Sequence, residues 1–183
     1  RLGSYSTRTT HPYFLQALEK LWQRWGIDQV LYNPYRFLTK GQVLAQSRNP
    51  YLLQQLLPYT WSCAHPVASR WLKGGQGNCG YCYPCLVRRA ALHRVGWDRP
   101  WEYLYDVLSQ PEVLANRSRG ADLRSLLWAL QQEEYDRFPE RWLWLSGPLP
   151  EANLEELREL IQVGRQELRH WLLTGGAFLR LAE

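Results

Sequence analysis

TWSCAHPVASRWLKGGQGNCGYCYPCLVRRAAL, residues 60–92, holds every cysteine of the 183-residue chain. The four thiols fall in the pattern C-x15-C-x2-C-x2-C, from Cys63 to Cys85. A disulfide framework would need an oxidising compartment, and no secretory leader opens the chain. Buried cysteines without a ligand would scatter through a core rather than share one window. Metal binding explains the spacing: two residues between thiolates let one tight turn aim both sulfurs at one ion, and Gly80 suits such a turn. Cys79, Cys82 and Cys85 then supply three ligands from a turn leading into a helix, and Cys63 closes the tetrahedron from across a Gly-rich loop. Four thiolates with no open position describe a structural Zn site. An iron–sulfur cluster is the competitor, because C-x2-C-x2-C also occurs in ferredoxins, but no fourth cysteine follows closely behind.

Outward from this window, Pro84 starts a helix that ends at Gly96. Upstream, THPYFLQALEKLWQRWG predicts a helix capped by Thr10. Pro12 lies in its first turn, Gly26 ends it, and Phe14, Leu15, Leu18, Leu21, Trp22 and Trp25 form an apolar face. DQVLYNPY reads as a short strand stopped by Asn33 and Pro34. LTKGQVLAQ starts a helix with Thr39 as N-cap and Gln42 completing a capping box, and NPYLLQQLLP is a short helix closed by Pro58. Helix, strand, helix is the order of an α/β sheet fragment. From Trp101 onward, PWEYLYDVLSQ, GADLRSLLWALQQEEYD and PEANLEELRELIQVGRQELRHWLLTGG are helical patterns. In the last, Leu154, Leu157, Ile161, Leu168, Trp171 and Leu172 lie on one side. The expected organisation is an α/β unit over 1–100 containing a zinc knuckle at 63–85, followed by a helical tail over 101–183.

Hydrophobic residues make up 45% of the chain and charged ones 21%, a globular composition rather than a disordered one. No apolar run is long enough to cross a bilayer, so a cytoplasmic protein without membrane contact is the expectation. The formal charge is +5, with only Lys20, Lys40 and Lys73 as lysines. Arginine grips phosphate and carboxylate through paired hydrogen bonds, which permits a nucleotide or nucleic-acid partner without requiring one. The absence of any methionine suggests that Arg1 continues from a longer protein.

TWSC followed by CGYCYPCLVRR resembles the C-terminal half of the QueC proteins, the 7-cyano-7-deazaguanine synthases, which carry TWSC, a loop, then CGxCxxCxxR. STRTTHP, NPYRFLTKG and CGYCYPCLVRRAALH look closer still to the QatC branch of Qat anti-phage systems. The likeness covers about residues 4–98. It implies the C-terminal part of an ATP-pyrophosphatase-type α/β sheet domain, an ATP-dependent ligase that adenylylates a deazaguanine carboxylate using ATP and Mg. It also implies that Cys63, Cys79, Cys82 and Cys85 hold structural Zn. The Ser-Gly-Gly-x-Asp-Ser loop that would cradle the pyrophosphate is not found from Arg1 onward, so this chain is expected to need an N-terminal half of the same protein for activity. The helical tail would meet other defence subunits.

Arg8, Thr9, Thr10 and His11, at a helix start, are candidate anion-binding residues, each with a plain capping or surface role as the alternative. Lys40, at a capped helix start, and Arg88, one turn after Cys85, are further nucleotide or substrate candidates, and Arg88 could instead brace the knuckle. His65, His93 and His170 lack paired spacing and read as structural. Trp22, Trp25, Trp128 and Trp171 fit helical faces in a core or interface. The rival reading is a zinc-knuckle module that binds RNA or DNA without catalysis, which the spread of arginines along the chain disfavours.

Overall fold

The computed structural model describes residues 11–65, 77–144, 147–149 and 153–179. Nine α-helices lie among them: α1 (Pro12–Arg24), α2 (Lys40–Ala45), α3 (Pro50–Leu56), α4 (Tyr83–Arg94), α5 (Pro111–Ala115), α6 (Ala121–Gln131), α7 (Glu134–Arg137), α8 (Pro139–Trp144) and α9 (Leu154–Leu172). Among the described residues there is no strand beyond an isolated parallel bridge between Asn78 and Tyr103. The expectation of a sheet fragment is therefore corrected here to a helical one. Residues 27–33 run without regular structure. Val30 and Tyr32 are 81% and 85% exposed, with no neighbouring strand among the described residues to take up their backbone groups; a β-strand exists only by pairing.

The predicted helix boundaries hold where local chemistry enforces them. Thr39 accepts a hydrogen bond from the Gln42 amide at 3.1 Å while Gln42 Oε1 accepts from the Thr39 amide at 2.8 Å, completing the capping box. Gly26 and Gly96 adopt φ of +72° and +73°. Each ends its helix with the paired bonds of a Schellman motif, as in Trp97 N–H to Leu92 C=O at 2.8 Å. The N-cap of α1 is His11 rather than the expected Thr10, because its ring Nδ1 accepts from the Tyr13 amide at 3.3 Å.

PWEYLYDVLSQ fails as a helix. It forms a single 3-10 turn, Pro100–Glu102, and then runs irregularly. The amides of Leu104 and Tyr105 are taken instead by the carbonyls of Asn78 and Cys79, at 3.0 and 3.2 Å. The knuckle competes successfully with a local helix for these donors because its buried carbonyls need them.

The core sits between α4 and its partners. Leu86 and Ala90 of α4 join Val107, Val113, Leu123, Leu126 and Leu130, and Leu168, Trp171 and Leu172 of α9 close the other side. The predicted apolar side of α9 is thus the buried one, with Trp171 fully enclosed. A carboxylate ties three helices together at the edge of this core. Glu167 of α9 accepts from the Thr39 hydroxyl of the α2 cap at 2.5 Å and pairs with Arg94 of α4 at 2.7 Å. Gly41 leaves room beneath it, since a Cβ there would come within 2.6 Å of Glu167 Oε1 and 2.7 Å of Arg94 Cδ and displace those side chains.

Candidate metal centre and adjoining cavity

Cys63, Cys79, Cys82 and Cys85 have their Sγ atoms within 4.8 Å of one another. The last three are completely buried. Cys82 is the N-cap of α4, and Cys85 lies in that helix's first turn. The amide of Tyr83 donates to Asp122 Oδ2 of α6 at 2.7 Å, which fixes the start of the helix from outside. Gly80 takes φ +85°, and a side chain there would run into the Tyr105 carbonyl.

The donor set fits a single tetrahedral ion. Sulfurs about 2.3 Å from one ion lie about 3.8 Å apart, and Cys79 Sγ and Cys85 Sγ are 3.9 Å apart. Backbone amides of His65 and Ala64 donate to Cys63 Sγ and Cys82 Sγ at 3.3 and 3.4 Å, and such bonds favour thiolates over thiols. The thiols perturb one another strongly: the hydrogen bond with Cys79 holds Cys63 far below the ordinary thiol value. The bond with Cys63 pushes Cys79 and Cys85 far above it. Sulfurs this close compete for protons, and a cation relieves that competition by taking all four as thiolates.

Around the knuckle the aromatic rings are layered. His65 stacks on Tyr81 with centroids 5.4 Å apart, and Tyr81 meets Tyr105 edge-on at 5.8 Å. Tyr103, buried beside the cluster, has its hydroxyl pushed up to about 12 by burial.

Two sequence candidates come together. Lys40 at the start of α2 and Arg88 on α4 line one cavity of about 420 Å³, whose other walls are mainly apolar, including Leu38, Val43, Leu57 and Leu92. Arg8, Thr9 and Thr10 lie outside the described residues, and His11 serves as the α1 cap. Of the tryptophans, Trp171 is core, while Trp25 and Trp128 are 67% and 57% exposed. Sequence reasoning missed two groupings. Arg89, fully buried, is clamped by Asp98 at 3.0 Å and Asp106 at 2.5 Å. His93 and His170, read separately, line one cavity with Glu167. The first had a signal in the acidic residues that follow the helix; the second depends on the α4–α9 crossing, which no local pattern encodes.

Comparison with known proteins finds partial relatives. Over 78 residues the chain is 35% identical to a 7-cyano-7-deazaguanine synthase of Sinorhizobium fredii, covering 42% of this chain and 28% of that protein. This chain is similar to the QueC-type synthases. It is 29% identical over 99 residues to the synthase of Rhizobium rhizogenes and 31% identical over 99 residues to that of Brucella ovis, in each case covering 50% of this chain and 36% of the relative. The matched stretch thus spans about a third of the length of these QueC-type relatives. No family model matches the chain, and no solved structure matches it. Among the described residues no helix is long and apolar enough to cross a membrane.

Proposed function

We propose that the chain is part of a QueC-like ATP-dependent enzyme of the QatC type, in which it carries a structural zinc site and one wall of the substrate pocket. The observation that carries this reading is the cysteine tetrad itself: TWSC and CGYCYPC close on one point, in the part of the sequence that resembles the synthases. Zinc is the ion assigned, because four thiolates leave it no open position and it supplies folding energy rather than chemistry. In the whole protein, a deazaguanine carboxylate oxygen attacks the α-phosphorus of Mg-ATP. The new P–O bond forms as the bond to pyrophosphate breaks, leaving an acyl-adenylate. Lys40 and Arg88 face the pocket side and supply positive charge. Partners under this reading are the remainder of the same protein and other defence subunits meeting the helical part, all in the cytoplasm.

The test is ATP–pyrophosphate exchange by the whole protein with 7-carboxy-7-deazaguanine. Exchange that requires the carboxylate is expected. If no exchange occurs while filter binding to RNA or DNA falls steeply with salt, the reading is overturned in favour of a nucleic-acid module.

A further inference from the structure

Arg88 and Arg89 are neighbours on α4, both essentially buried, at 9% and 0% exposure. Their surroundings differ in one respect. Arg89 is neutralised by Asp98 and Asp106, and Arg165, the other buried arginine among the described residues, is neutralised by Asp136. Arg88 makes no ion pair among the described residues. Its NH2 donates to the Leu57 carbonyl at 2.9 Å, and its NH1 makes only a long bond to Ser62 Oγ at 3.4 Å. Its Nε has no partner there at all. Nor can residues 66–76, which join the two halves of the knuckle in sequence, supply a counter-charge, because PVASRWLKGGQ contains no acidic side chain. A buried cation without an anion is costly, and proteins keep one where a ligand completes the pair.

We propose that Arg88 is an anion-binding residue: it receives a carboxylate or phosphate carried by a small, otherwise apolar ligand seated in the cavity between α2 and α4. The cavity has the matching character. Its walls are mainly leucine, valine and tyrosine side chains, Arg88 lines it from α4, and Lys40 adds a second positive charge from α2. A volume of about 420 Å³ takes a ring-sized ligand rather than a polymer. Neutral oxygens of Leu57 and Ser62 hold the guanidinium, so it is pre-positioned before a ligand arrives. Arginine suits this place better than lysine, because its planar fork can keep those bonds and still offer N–H groups to an anion. The inference deepens the functional reading by assigning the pocket's anion-binding residue. Its test uses no nucleotide, so it can fail while that reading stands.

The experiment is calorimetric titration of the full chain, at constant ionic strength, with benzoate, phenyl phosphate and the neutral isostere benzamide. One or both anions should bind, and benzamide should bind at least tenfold more weakly; whichever anion binds tighter tells carboxylate from phosphate. Arg88→Gln should weaken the anion about ten- to a hundredfold and leave benzamide unchanged, as expected for loss of a charged hydrogen-bonding partner. Arg88→Lys should recover only part of the affinity. If Arg88→Gln fails to fold, Lys40→Ala in the folded protein should still weaken the anion selectively, by a smaller factor. Equal affinity of the wild-type chain for benzoate, phenyl phosphate and benzamide, or binding of none of them, overturns the proposal and leaves Arg88 as a brace alone.

Discussion

α1 and α9 are written in nearly the same code, yet they meet different fates. Both are amphipathic helices with an apolar stripe at helical spacing. α9 buries Leu168, Trp171 and Leu172 against α4 and its neighbours, whereas α1 buries no residue. On α1, Phe14 and Leu21 remain 45% and 39% exposed, and Trp25 at its C-cap is 67% exposed. An apolar stripe states that a helix can be buried; it does not say against what. α9 has its partner because α4 is held in place by the knuckle at one end and by the Glu167–Arg94–Thr39 network at the other. The knuckle end of the molecule should therefore hold its stability, and α1 should contribute little of it.

The sharpest way to break this contrast is Cys82→Ser. Loss of a structural four-thiolate site removes on the order of 10 kcal/mol, comparable to the stability of a whole domain. Circular dichroism should show loss of cooperative unfolding, with elemental analysis showing loss of bound metal. A Cys82→Ser chain that melts like the parent would mean the cluster does not hold α4 in place. Next comes the core itself: Trp171→Ala should cost about 3–5 kcal/mol by denaturant titration, as other large aromatic truncations do. Trp25→Ala beside α1 should cost less than about 0.5 kcal/mol in the same assay. Equal losses from these two tryptophans would erase the distinction between the helices.

A smaller effect concerns pH. Burial opposes ionisation of Asp136, but hydrogen bonds from Arg165 and Arg169 outweigh it and hold the carboxyl below its ordinary value. The same holds for Asp106, where Ser109 and Arg89 overcome burial. A depressed native value means that these groups stabilise the fold above the unfolded carboxylate value of about 4 and lose that contribution as pH falls toward their native values. Melting temperature should therefore drop as pH falls below about 4, and Asp136→Asn should flatten part of that slope. A slope unchanged by the substitution would remove Asp136 from the account. At the smallest end, Lys40→Ala should leave the melting temperature nearly unchanged, because Lys40 is exposed.

The sequence by itself determined what depends on near neighbours in the chain. The C-x2-C-x2-C turn, the Thr39–Gln42 capping box, the glycine stops at Gly26 and Gly96 and the long α9 are all local, since each relies on residues within a few positions of one another. Cys63 was also legible, because a tetrahedral site needs a fourth thiolate and the chain has just one more cysteine to give. What failed locally failed for tertiary reasons. Residues 28–35 carry strand-like chemistry but lack a pairing strand among the described residues, and residues 101–110 carry helical chemistry but give the amides of Leu104 and Tyr105 to the knuckle. The roles of Arg88 and Arg89 could not be told apart in the string "RR", for both have the same side chain on the same helix. Only the fold, by bringing Asp98 and Asp106 to one guanidinium and neutral oxygens and a cavity to the other, made one of them a structural ion pair and left the other with a charge to be answered. Electrostatic pairing acts through space over a few ångströms, and that neighbourhood is assembled from residues far apart in sequence.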